Sequence, residues 1–252
     1  MKKNIILILF FLNTSLIFSQ KLSISYKFEV RNTMFNKLFE FPSNLQLDTD
    51  GHILYSVSYG ISPQIKDKED NKNGSFSLID TTKYSYVLYN NKKKNSEIHY
   101  ISDVIQKKPY LFEDSFSPIK FDIKKEFKTE NNIKLTKAKA EFRGRRYIIW
   151  FDASSSIQGG PWKFTNLPGI AYEIYDDQNL FRWTLQNIEK KTGTIENPFK
   201  NNKLNPLISF KEYPLHKYTT TVHKHNPVTN KGEYVLHNQK RDGLEIIFEW
   251  EN

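Results

Sequence analysis

The chain has 252 residues, with 37 Lys+Arg against 28 Asp+Glu for a formal net charge of +9, and it contains no cysteine. A hydrophobic content of 38%, with 10 Gly and 10 Pro, describes a folding chain rather than a disordered or collagen-like one, long enough to bury a core. The lack of cysteine excludes disulfide frameworks, cysteine-ligated zinc, iron–sulfur clusters and thiol nucleophiles.

Lys2 and Lys3 precede an apolar run from Ile5 to Leu12, followed by Asn13-Thr14-Ser15 and Leu16 to Gln20. This is the tripartite pattern of a secretory signal, read as residues 1–19 with cleavage before Gln20. The apolar run is short of the ~20 residues of a spanning helix, and no later stretch approaches that length. The mature chain, residues 20–252, is therefore expected to be exported, without a transmembrane span and, lacking cysteine, without a lipid anchor. Loss of Lys2 and Lys3 lowers the net charge from +9 to +7. What remains is largely compositional, since the basic residues are 31 Lys and 6 Arg beside 23 Asn. Base and phosphate recognition favours the planar arginine fork, and the longest basic run, Lys92-Lys93-Lys94, reads as a turn, so nucleic acid is not an expected partner.

From Lys21 to Val30 the chain alternates strictly, with Leu22, Ile24, Tyr26, Phe28 and Val30 on one face, which predicts a half-buried strand. Two further strands, Asn44–Leu47 and His52–Tyr59, flank Asp48-Thr49-Asp50-Gly51, a hairpin signal. Residues 64–74 are almost all polar and predict a surface loop; strands follow at Ser75–Ile79, Lys83–Tyr89 and Glu97–Ile101. Lys107 to Asp122, with Pro109 and Pro118, predicts an irregular crossing at a sheet edge. Strands at Ile133–Phe142 and Tyr147–Phe151 bracket a tight turn at Arg143-Gly144-Arg145. Strands at Ile170–Tyr175 and Phe181–Leu185 flank a turn at Asp176–Asn179. The segment Lys190–Pro214 predicts irregular chain with room for a short helix, and Gly243–Trp250 predicts a closing strand. Turn signals every 8–12 residues, without a sustained helical period, predict one mainly β domain built as an antiparallel sheet, sandwich or open barrel; the reading taken is a single curved antiparallel sheet, open or half-barrel, with few short helices.

Two clusters resemble the GLPGLI family of secreted Bacteroidetes proteins. One is Lys139-Ala140-Glu141-Phe142-Arg143-Gly144-Arg145 with Tyr147 and Trp150; the other is Gly160-Pro161-Trp162-Lys163-Phe164 followed by Leu167-Pro168-Gly169-Ile170. Asn166 stands where the family has Gly, Ile170-Ala171 replaces an aliphatic pair, and no Cys precedes the Arg-Gly-Arg turn. Upstream, Tyr110 to Asp114 and Ile119 to Phe121 fit the family's pre-motif segment, with Phe121 where Trp is common. The resemblance covers about residues 110–190, and a leader ending in Ser19-Gln20 is typical of the same phylum. The family has no established activity; the resemblance implies an exported envelope protein, with an outer-membrane TonB-dependent transporter as a partner class. The strand order after the turn also looks like a LolA-like lipoprotein-chaperone half-barrel, at the level of fold alone.

The same residues can be read physically. Gly144 suits the left-handed position of a tight hairpin, leaving Arg143 and Arg145 either as solvated turn charges or as a clamp for an anion or carboxylate. Gly159-Gly160-Pro161 allows close backbone approach, and Pro168-Gly169 fits a type II turn. Arg143, Gly144, Arg145, Gly160, Pro161, Trp162, Phe164, Leu167, Pro168 and Gly169 are the motif residues, read either as a stapled loop or as the rim of a ligand-binding face. His223 and His225 fall on one face of an extended segment and are weak candidates for a metal, with His216 or His237 as a third ligand. Asp48-Thr49-Asp50-Gly51 opens like a calcium loop but lacks the distal Glu, and Asp176-Asp177 reads as a solvated Asx turn. No serine elbow, P-loop, dinucleotide fingerprint or HExxH is present, and Ser154-Ser155-Ser156 reads as loop, so no catalytic residue and no cofactor is assigned. The expected function is a periplasmic or outer-membrane-associated binding module for a hydrophobic ligand or lipidated partner, its concave aromatic face including Trp150, Trp162, Phe164 and Trp183. The alternatives are an envelope interaction partner and a hydrolase with a dispersed site.

Overall fold

The structure, a computed structural model, describes residues 20–32, 36–61, 83–91, 96–102, 109–115, 117–201, 206–226, 231–238 and 240–251. The leader read at 1–19, the loop at 64–74, the strand expected at Ser75–Ile79 and the basic turn Lys92–Lys94 lie outside the described residues.

The chain is mostly β, built on one open, curved sheet of twelve strands. In chain order these are β1 (Gln20–Asn32), β2 (Lys37–Asp48), β3 (His52–Ile61), β4 (Lys83–Asn91), β5 (Ser96–Ser102), β6 (Pro109–Asp114), β7 (Phe121–Glu130), β8 (Ile133–Phe142), β9 (Arg145–Asp152), β10 (Ile170–Asp176), β11 (Phe181–Thr192) and β12 (Leu207–Ser209). A short 3-10 turn at Phe210–Glu212 leads into one helix, α1 (Tyr213–Tyr218), begun by Pro214 near its N-terminus where the missing N–H costs nothing. β13 (Thr219–Asn226) and β14 (Lys231–Asn238) form a separate hairpin. Two meanders flank β1, giving the order β12-β6-β5-β4-β3-β2-β1-β11-β10-β9-β8-β7, antiparallel throughout except at β12-β6.

The connection from β6 to β7 shows how strongly the sheet curls. These strands stand second and last in the order, which on a flat sheet would place them about 48 Å apart at ~4.8 Å per strand. Residues 115–120 join them, and six residues span at most roughly 20–25 Å. The sheet therefore bends until its two ends approach each other, with Ile119 buried in the crossing and its carbonyl accepting from Asn166 Nδ2 at 2.8 Å.

Alternation decides which face is inside. On β1, Ile24, Tyr26 and Phe28 point inward, as do Ile53, Tyr55 and Val57 on β3 and Tyr147, Ile149 and Phe151 on β9. The concave face is filled by the loop between β9 and β10, residues 153–169, which drives Trp162, Phe164 and Leu167 into the core. Three expectations need correction. Residues 109–114 form an interior strand paired on both sides, with Pro109 confined to its first position. Phe121–Glu130 is the edge strand β7, hidden in the sequence because both its faces are largely solvated. Gly243–Trp250 is not a strand: the backbone N–H groups of Ile246 and Ile247 both donate to the Arg143 carbonyl, at 2.9 and 3.1 Å, and the segment lies across the β8–β9 turn.

Candidate functional site

The Arg-Gly-Arg segment forms the β8–β9 turn with Arg143 at φ 43° and Gly144 at φ 81°, both in the left-handed region that a two-residue hairpin demands. Gly144 also leaves room for the C-terminal segment, since a Cβ there would lie 2.8 Å from side-chain carbons of Ile246 and Ile247. The turn aims its two arginines inward as a carboxylate clamp, not outward into solvent. Arg145 binds Asp176 Oδ2 at 3.1 Å and the carbonyls of Gly243 and Asp242 at 2.6 and 2.9 Å. Asp176 is fully buried and accepts from the Leu180 and Phe181 N–H groups, which corrects the solvated-turn reading; Asp177 instead pairs with Arg146 at the surface.

Arg143 occupies the seam where the curled sheet ends meet. Its Nη1 and Nη2 bind Asp114 Oδ2 and Oδ1 at 2.8 and 3.0 Å, Nη1 also binds Glu245 Oε1 at 2.6 Å, and Nε reaches Glu249 at 3.1 Å. Lys163, from the loop that fills the concave face, donates to Asp114 Oδ2 and Glu245 Oε1, both at 2.6 Å. Its side chain is 0% exposed and that of Arg143 1%. Phe142, Phe210, Phe248 and Trp250 surround the Arg143 guanidinium at 5.1–5.5 Å from ring centroids, so the ion pairs lie in an aromatic, low-dielectric cage. Burial alone would raise the Asp114 carboxyl; Lys163, the Arg143 hydrogen bonds and His99 outweigh it and hold the carboxyl well below the usual carboxylate range. Burial likewise opposes the Arg143 charge, and its carboxylate partners reverse that and raise it.

The motif residues are structural neighbours. Gly160, Pro161, Trp162, Phe164, Leu167 and Gly169 are buried, while Gly144 and Pro168 are exposed. A Cβ on Gly169 (φ 140°) would fall 2.2 Å from the Asp152 carbonyl oxygen, and one on Gly160 2.9 Å from Ala171 Cβ. Trp162, Phe164 and Trp183 are at most 1% exposed and pack on one another, with ring centroids 5.5–6.2 Å apart. Trp150 lies half-buried on the opposite, polar face beneath Lys128 and Lys137.

The aromatic row does not stop at the core. Trp183 stacks on Phe28 at 4.7 Å, Phe28 meets Phe41 at 6.5 Å, and Phe41 meets Tyr59 at 4.9 Å and Phe39 at 6.4 Å. Phe39 and Tyr59 are 41% and 38% exposed. The inward face of β1, β2 and β3 thus continues past the loop that fills the sheet and ends as an apolar ledge. The sequence shows the alternation that builds it but not where the filling loop stops.

Two groups have metal-compatible spacing among the described residues: Asp48, Asp50 and His52, and Glu97, His99 and Asp114. The first is hairpin chemistry. The Asp48 carboxylate accepts from the N–H groups of Asp50, His52 and Ile195 and pairs with the His52 ring, and these bonds outweigh burial to lower its pKa. The second is buried and was not foreseen. His223 and His225 lie on β13, and their side chains are outside the described set. Ser154 Oγ donates to Asp152 Oδ1 at 2.6 Å, and the polar partners of the described histidines are Asp48, Tyr86, Glu97, Asp114 and Glu212, so no Ser–His pair forms among the described residues. No helix among the described residues is long and apolar enough to cross a membrane.

No family model matches the chain, and no curated protein matches it. Among solved structures, two crystal forms of PNGF-II align at 13% identity with TM-scores of 0.48 and 0.49, over 82% of this chain and 35% of theirs. The chain thus spans about a third of the PNGF-II length. A domain from Vibrio parahaemolyticus, named for outer-membrane lipoprotein sorting, aligns at 9% identity and a TM-score of 0.37, over 72% of this chain and 90% of its own.

Proposed function

We propose that this chain is an exported, non-catalytic binding module that holds an apolar acyl chain against the ledge formed by Phe39, Phe41 and Tyr59. The observation that carries the reading is the aromatic row, which leaves the sealed core and reaches solvent on the same face of the sheet. A surface of this kind gains by removal from water and carries few polar groups that would demand a specific partner. The leader pattern of residues 1–19 supports export, and the two motif clusters support membership of the GLPGLI family. An outer-membrane protein that presents a lipidated segment is the partner class consistent with both.

The test is displacement of a fluorescent fatty-acid analogue, with Phe39→Ser and Tyr59→Ser as variants. Covering the exposed part of Phe39 removes roughly 80 Å² of apolar surface, about 2 kcal/mol at ~25 cal/mol/Å², so Phe39→Ser should weaken binding by tenfold or more. Its Tm should hardly change, because the side chain is already partly solvated. No binding at ~100 μM protein, or equal binding by both variants, rejects the reading.

A further inference from the structure

Glu97 and Asp114 stand directly opposite each other on β5 and β6, both 2% exposed. Like charges facing across a strand pair repel, and burial strengthens the repulsion, so a cation has to lie near them. Arg143 and Lys163 supply positive charge to Asp114 and Glu245. Among the described residues no lysine or arginine lies within ion-pair distance of Glu97; its Oε1 accepts from Asn90 Nδ2 at 2.8 Å, and its Oε2 is buried without a hydrogen-bond partner.

His99, two residues along β5 and therefore on the same face, is 0% exposed, and its Nε2 is also buried without a hydrogen-bond partner. That nitrogen lies 3.3 Å from Glu97 Oε2 and 3.9 Å from Asp114 Oδ2. Tetrahedral coordination with bonds of 2.0–2.2 Å separates neighbouring ligand atoms by about 3.3–3.5 Å. The Glu97–His99 spacing already has that value, Asp114 needs to close on His99 by about 0.5 Å, and all three ligand atoms lie within 4.8 Å of one another. The other ring nitrogen, Nδ1, sits 2.7 Å from Tyr86 Oη; with Nε2 bound to an ion, Nδ1–H donates to the phenol oxygen and fixes the tautomer. Asp114 Oδ2 already accepts from Lys163 at 2.6 Å and Arg143 at 2.8 Å; when it is shared with an ion, Lys163 retains Glu245, and Arg143 retains Asp114 Oδ1 and Glu245. A cleft lined by Asp114, Ser115, Phe210 and Trp250 brings the surface to Asp114, the ligand from which an ion would enter.

We propose that Glu97 Oε2, His99 Nε2 and Asp114 Oδ2 form a site for a divalent transition ion of the zinc class, completed by water, which staples β5 and β6 to the seam. An N/O donor set of one imidazole and two carboxylates suits such an ion better than calcium or magnesium. The site is separate from the apolar ledge and does not depend on it.

Chelator-treated protein titrated calorimetrically with zinc chloride should bind one ion tightly. At a hundred times Kd the ion should raise Tm by about 5–10 °C. Cobalt(II) in its place should give the visible bands of a tetrahedral site. Glu97→Gln, which keeps the side-chain size and the Asn90 contact, should weaken binding by more than the ten- to hundredfold typical of changes behind the ligands. The double variant His223→Gln/His225→Gln should leave it unchanged. Zinc should also shift the His99 ring-nitrogen resonances of the unmutated protein, a readout that survives if Glu97→Gln fails to fold. No stoichiometric binding, binding that survives Glu97→Gln, loss of binding in the double variant, or His99 ring-nitrogen resonances that zinc does not move would each overturn the site.

Discussion

Replacing Arg143 by Met tests whether the buried ion network holds the curled sheet together. Methionine keeps a flexible chain against Phe142, Phe210, Phe248 and Trp250 but removes every charged donor. Lys163 is then the one lysine or arginine shared by Asp114 and Glu245, with His99 3.9 Å from Asp114, so two buried carboxylates are left with less positive charge than they need. The Glu249 contact adds little, because that side chain is 56% exposed. Breaking a buried pair by deleting one partner costs about 3–5 kcal/mol, against a total domain stability of about 5–15 kcal/mol. For a chain of this size the cost corresponds to a Tm lower by about 6–20 °C. Urea unfolding followed by tryptophan emission, in chelator, measures it directly. The sign of the pH effect is a second check. In the intact protein the Asp114 carboxyl is held low, so its contribution is complete above the unfolded value of about 4 and fades as pH falls below it. Without Arg143 that carboxyl protonates more readily, so the gap between the two proteins should narrow from pH 5 to pH 3. Adding Asp114→Asn should recover part of the loss at pH 7. A variant within 1 kcal/mol of the parent at pH 7, or a gap that does not change with pH, would refute the reasoning.

Gly169→Ala should cost about 3 kcal/mol or more, because φ 140° suits glycine alone and the new Cβ would overlap the Asp152 carbonyl; equal urea midpoints would count against it. The parent protein should lose Tm steadily from pH 4 to pH 2.5, since Asp114, Asp48 and Glu251 are all lowered in the fold and each favours folding only while ionised. A flat acid profile in differential scanning calorimetry would contradict that. Ligand bound on the ledge should leave the emission maximum of the buried Trp162 and Trp183 in place while protecting Phe39 and Tyr59 from hydroxyl-radical labelling.

Regular alternation made the sheet legible. The strand read at Ile133–Phe142 has the bounds of β8 and the one read at Lys21–Val30 lies within β1, although Ser23 and Leu135 are buried against the alternation; the hairpins at Asp48–Gly51 and Arg143–Gly144 follow from turn chemistry. β7 was lost because an edge strand such as FDIKKEFKTE buries neither face fully and leaves no period to read. The closing segment misled for the opposite reason: Leu244, Ile246 and Phe248 alternate like a strand, but the backbone of residues 243–247 is committed to the Arg143 carbonyl and the Tyr218 and Tyr147 hydroxyls. The charged seam was the least legible part. Arg143 meets Glu245 across 102 residues, and in a lysine-rich composition one buried lysine has no local mark. On β5 the periodicity even points the wrong way, since Ile98 and Tyr100 are partly exposed and Glu97 and His99 turn inward.

The seam and the ledge together limit where a ligand can go. An acyl chain entering the concave face would have to lift the loop that carries Trp162, Phe164 and Leu167, and Lys163 ties that loop to Asp114 and Glu245. Lifting it would therefore break two charge-assisted bonds and uncover two buried carboxylates before any apolar surface was gained, a cost of several kcal/mol that an acyl chain of ordinary affinity would not recover. Past the loop the same face of β1 to β3 presents Phe39, Phe41 and Tyr59 without that obstacle. A sheet pinned by charge across its seam and left apolar at one end favours capture at the rim over enclosure.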